Sequence, residues 1–121
     1  MSKTITMLHV KNDSATFKKV TPTLQHYYEL IGCDYIDIVR INFGGKTYDV
    51  ICDDEALLKN PPHYFSVVSE SGSPMIAGNI LICNSKDGYE TSLKNDDIIR
   101  LLSRLCWTMQ NDEETAAIIA D

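Results

Sequence analysis

The chain has no apolar run near the roughly 20 residues that a membrane-crossing helix needs; polar or charged residues interrupt every apolar-rich stretch. Its first residues carry neither the apolar core nor the small-residue cleavage site of a secretory signal, so a cytoplasmic location is expected. Four cysteines are present, but no two stand at the two-to-four spacing of zinc sites. Cys33, Cys52, Cys83 and Cys106 each lie in or beside an apolar segment, where a thiol packs as a small hydrophobe. The three histidines, His9, His26 and His63, form no i, i+4 ligand pair and join no cysteine or serine nucleophile motif. Gly44-Gly45-Lys46-Thr47 lacks the leading glycine and the strand-to-helix setting of a phosphate loop. These absences predict no metal, no cofactor and no enzymatic activity. Positive charge is also scarce: 11 Lys and Arg stand against 17 Asp and Glu, a formal net charge of -6. An acidic surface repels phosphates, which argues against direct nucleic-acid binding and leaves a basic protein as the fitting partner.

What is present describes one globule. With 121 residues, 44% hydrophobic and 23% charged, the chain is long enough for a core without disulfide or metal staples. Residues 1–111 read as a single domain. Residues 112–121 read as an acidic and apolar tail that extends the last helix or frays.

Lys3 to Val10 alternates, with Ile5, Met7 and His9 opposed to Leu8 and Val10, and predicts a strand covered on both faces. A second extended piece follows around Phe17 to Val20. Thr21-Pro22 signals a helix start, Leu24, Tyr27, Tyr28 and Ile31 keep helical spacing, and Gly32 supplies the stop. Tyr35–Asn42 and Thr47–Cys52 read as a hairpin around Gly44-Gly45. Asp53-Asp54-Glu55 opens a helical turn through Leu58 that Lys59-Asn60-Pro61-Pro62 ends. Tyr64 to Val68 reads as a short strand, and Met75 to Asn84 as the most apolar one, with Gly78 as a bulge or close-packing point. Asn95 reads as the cap of a final helix, on which Ile98, Leu101, Leu102, Leu105, Cys106 and Met109 keep i, i+3, i+4 spacing over three turns. The fold class expected is α+β: a mostly antiparallel sheet of four or five strands, with both helices packed on one face.

The order Leu30-Ile31-Gly32, Ile36-Asp37-Ile38-Val39, Cys52-Asp53-Asp54-Glu55-Ala56-Leu57-Leu58 and Gly78-Asn79-Ile80-Leu81 carries a resemblance. It is similar to a family known only as a domain of unknown function, which recurs in bacteriophages and in conjugative elements of Gram-positive bacteria. That resemblance implies a phage or mobile-element accessory protein and brings no catalytic residues with it.

The expected function is non-enzymatic: binding and inhibiting a host defence protein such as a nuclease. The alternative is a small-ligand binder that sequesters a nucleotide immune signal, as an oligomer with pockets between subunits. It would use exposed aromatics with Lys46, Lys59, Arg100 or Arg104. Asp53, Asp54, Glu55, His63, Tyr64 and Phe65 are the expected partner-binding residues. Carboxylates beside aromatics make a charged rim around a buried anchor, and the double proline limits the entropy lost on binding. The competing reading of Tyr64 and Phe65 is that they plug the core under this loop.

Overall fold

In the computed structural model of the protein, which describes residues 3–59 and 63–121, two hairpins open the fold. Strands β1 (Ile5–Lys11) and β2 (Ser14–Val20) form the first, and β3 (Ile36–Phe43) and β4 (Lys46–Asp53) the second. Gly44 and Gly45, at φ +62° and +88°, build the turn of the second hairpin, where a residue with a β-carbon would be strained. Between the hairpins lies helix α1 (Leu24–Ile31), capped by Thr23 rather than Thr21 and closed by Gly32. The acidic segment after β4 leads into a single 3₁₀ turn, Ala56–Leu58. Of the proposed stop, Asn60-Pro61-Pro62 lies outside the described residues.

The rest of the chain divides between two sheets. β5 (Phe65–Ser69) and β6 (Pro74–Ala77) pair with each other, and β7 (Ile80–Lys86) and β8 (Tyr89–Thr91) follow. Helix α2 (Asn95–Leu102), β9 (Leu105–Gln110) and β10 (Glu113–Ala120) complete the described chain. The larger sheet runs β2-β1-β7-β4-β3, with β8 beside the end of β7. The smaller runs β6-β5-β10-β9. Every pairing is antiparallel except that of β5 with β10.

The fold is therefore α+β and mostly antiparallel, with the strands in two sheets rather than one. The physical cause is a set of central strands that are apolar on both sides. Leu8, Val10, Val50, Ile80 and Ile82 face Val67, Ala116 and Ile118 of the smaller sheet, while Ile5, Met7, Ile51, Leu81 and Cys83 face Tyr27 and Ile31 of α1. The helices do not share a face, contrary to the sequence-based expectation: Leu101 of α2 belongs to the core between the sheets, and α1 packs on the opposite side of the larger sheet. The apolar run Met75–Asn84 is not one strand. At Gly78, φ +85°, the chain leaves the smaller sheet and enters the larger.

The final segment departs furthest from expectation. The three-turn helix ends at Leu102, and Leu105, Cys106 and Met109 lie in β9. Leu105, Trp107 and Met109 also satisfy a period of two, and the Cys-Trp-Thr sequence fits a pleated surface better than a helix. Asn111 and Asp112, at φ +53° and +65°, make the two-residue turn into β10. Residues 112–121, read as a tail, thus contain the strand on which β5 and β9 both pair. Lys94, not Asn95, caps α2, its amide donating to the Asp97 carboxylate at 2.8 Å.

Candidate functional site

β5 and β10 pair only over Val67–Ser69 and Ile118–Ala120. Earlier in both strands they separate. The Ala116 amide donates to the Asn12 carbonyl at 3.0 Å, and the Gln110 side chain takes both backbone groups of Phe65, at 2.6 and 3.0 Å. A cleft of about 330 Å³ opens at this separation. Its floor is made of small buried residues, Ser66, Ala77, Thr115 and Ala116, with Gly78 beside them. The Ser66 hydroxyl donates to the Gly78 carbonyl at 2.7 Å, and the Gly78 amide to the Tyr64 carbonyl at 2.8 Å, so the floor is cross-tied.

Asp53, Lys59, His63 and Tyr64 stand around the cleft. Asp53 is committed to structure. One oxygen accepts from the Glu55 amide at 2.9 Å and the other meets the Lys59 ammonium at 2.5 Å. The bond to Asp53 holds Lys59 in its charged form, and Lys59 also donates to the Gly32 carbonyl at 3.2 Å. Tyr64 does not plug the core: it is half-buried, and its hydroxyl donates to Glu113 at 3.0 Å. The His63 carbonyl accepts from Asn111 at 2.8 Å. Glu55 lies apart, on a shallower depression beside α1, Asp54 is exposed, and Phe65 is half-buried in β5. Of the six residues expected, three line one cleft. Ser66, Thr115 and Ala116 went unnoticed because no local pattern links them; the Asn111-Asp112 turn signal would have brought β10 into view.

A second constellation surrounds Asp97, which is fully buried. Its carboxylate accepts from Lys46 Nζ at 2.6 Å, Tyr48 at 2.8 Å, Asn84 at 2.6 Å and Arg100 at 3.2 Å, besides the Lys94 amide. Burial by itself would raise this carboxyl, but the converging donors hold it well below the usual carboxylate range. Burial, and then the bond to Asp97, push the Tyr48 phenol up to about 12. All donors point at one saturated acceptor, which suits a structural lock better than proton transfer.

The cations that a nucleotide would need are engaged in the same way. Lys46 pairs with Asp97, Lys59 with Asp53, Arg100 with Asp96 and Asp97, and Arg104 with Glu70 and Asp121. Burial raises the thiols of Cys33, Cys52 and Cys106, Cys52 to about 11, so they stay protonated at neutral pH. Among the described residues, no three His, Cys, Asp or Glu side chains gather as a metal site, and no helix is long and apolar enough to cross a membrane.

A family model described as a domain of unknown function, DUF3846, matches residues 5–106. The chain belongs to that family. The DUF3846 match runs from β1 to the start of β9, so it includes the Asp53–Phe65 segment and the Asp97 network and stops short of β10. No curated protein and no solved structure matches the chain.

Proposed function

We propose that this DUF3846 domain is a non-catalytic binding module that grips a protein partner at the cleft between β5 and β10. Two adjacent leucines beside the cleft carry the reading. Leu57 and Leu58, in the 3₁₀ turn, are 64% and 80% exposed. Consecutive exposed leucines next to Ala56 and Lys59, which line the cleft, make an apolar anchor with a charged rim, the usual anatomy of a binding surface. The excess of acid over base favours a basic partner. In a phage or mobile element, such a module would bind and block a host defence enzyme that handles nucleic acid, a nuclease among them. The nucleotide-sequestering reading is weaker, because its candidate cations already pair with carboxylates.

The test is affinity capture from host lysate with the wild type and with a Leu57→Asp/Leu58→Asp variant. The expected result is a discrete basic protein that the wild type retains and the variant loses, with circular dichroism and melting unchanged. Equal capture by both proteins would remove the leucines from the interface. A melting rise with cyclic dinucleotides, together with no protein captured, would favour the ligand-binding alternative.

A further inference from the structure

The free edge of β9 stands apart from the other sheet edges. β2 carries Lys18 and Lys19, β3 carries Asp37 and Arg40, and β6 is four residues long and begins at Pro74. Charge, proline and shortness are the usual devices against edge-to-edge pairing. β9, Leu-Cys-Trp-Thr-Met-Gln, has no charge and no proline, and among the described residues no strand pairs with its outer side. Trp107 and Met109 are 59% and 69% exposed.

The hydrogen-bond phase shows which backbone groups face outward. The Ile119 amide donates to the Arg104 carbonyl at 2.9 Å. With Leu105 opposite Ile118 and Trp107 opposite Ala116, alternation in an antiparallel ladder turns the N–H and C=O of Leu105, Trp107 and Met109 away from β10.

We propose that β9 is a homodimer interface, in which two copies pair antiparallel about a two-fold axis at Trp107 and join their smaller sheets into one. A two-fold axis perpendicular to the sheet keeps side chains on their own face, so outward-bonding residues must meet outward-bonding residues. Placing Trp107 opposite Trp107 of the second copy also places Leu105 opposite Met109. Three opposed pairs then exchange about six hydrogen bonds. Moving the axis to Thr108 would pair Leu105 with Asn111, which lies in the turn, and lose part of the ladder. A second copy is the favoured occupant because an uncharged strand meets its own image with no like charges opposed along the ladder. A contact roughly 20 Å long is small for an interface, so the dimer is expected to depend on concentration.

The experiment is sedimentation of the full chain, with Trp107→Lys and Trp107→Cys variants. The expected wild-type mass, at concentrations up to about 100 μM, is twice 13.6 kDa. Trp107→Lys, a charge at an exposed edge position, should be monomeric with an unchanged circular dichroism spectrum. Trp107→Cys would place two thiols on Cα atoms about 5.5 Å apart, within disulfide reach, and should give a covalent dimer on oxidation that the wild type does not. A monomeric wild type overturns the proposal and leaves the edge to another protein's strand. A dimer that Trp107→Cys fails to cross-link overturns it too, by placing the interface elsewhere.

Discussion

At the residue scale, the Asp97 network holds the larger sheet to α2. Asp97 is buried and accepts from the side chains of β4, β7 and α2. Replacing it with alanine strands the Tyr48 hydroxyl, one N–H of the Asn84 amide, whose other N–H donates to the Ser92 carbonyl at 3.0 Å, and the Lys94 amide. Lys46 and Arg100 reach partly into solvent and recover some hydration, so the cost is set by the buried neutral donors. The expected loss is about 3 kcal/mol for Asp97→Ala and about 1 kcal/mol for Tyr48→Phe, measured by urea denaturation. A loss no larger for Asp97→Ala than for Tyr48→Phe would mean that the network does not anchor α2. In the sequence, Asp97 reads only as a carboxylate in the first turn of a helix. Nothing local announces that Lys46, 51 positions away, lies against it.

At the element scale, β10 is the decisive piece. Its residues Ala116, Ile118 and Ala120 fill the core between the sheets, and both β5 and β9 pair with it. Deleting residues 112–121 is expected to abolish cooperative thermal unfolding of the whole chain, because the smaller sheet loses its second central strand and the larger sheet loses its cover. A truncated chain that melts like the wild type would restore the tail reading. The strands marked by clear alternation, β1, or by alternation beside a glycine turn, β3 and β4, could be read within a residue or two. α1 was readable from its periodicity and Gly32, although Thr21-Pro22 placed its start two residues early. β9 was not, because its apolar residues fit helical and extended periods at once. Pairing with β10 decides between them, and that is a nonlocal contact.

At the scale of the whole molecule, stability should follow pH in three steps. His9 is buried, with its Nε2 on the Leu30 carbonyl. Burial first, then Lys18 and Lys11, lower its pKa, against the raising effect of that carbonyl. A base whose folded pKa is lowered binds more protons when unfolded, so its contribution is complete above 6.5 and is lost as pH falls below that value. Asp97 and Asp121 are lowered from 3.8, so a second loss begins there and deepens toward stronger acid. Cys52, raised from 9.0 to about 11 by burial, gives a loss as pH rises through that interval. Melting temperature across pH is therefore expected to decline first as pH falls below 6.5, and His9→Gln should flatten that decline alone. A wild-type curve that is flat there would contradict a buried neutral imidazole.

Composition and local pattern by themselves determined the α+β class, the first helix, the two-glycine hairpin, the acidic balance and the Asp53–Phe65 stretch as a place of mixed chemistry. These follow from periodicity, turn residues and charge, which act over a few neighbours. Only the tertiary structure decided that the strands form two sheets, that Asp53 is tied to Lys59, and that Tyr64 borders a cleft with Thr115 and Ala116. It also decided that the last ten residues lie at the centre of the smaller sheet. Strands apolar on both faces require a second cover, but which distant segment supplies it depends on chain packing in three dimensions, and no short window of sequence records that.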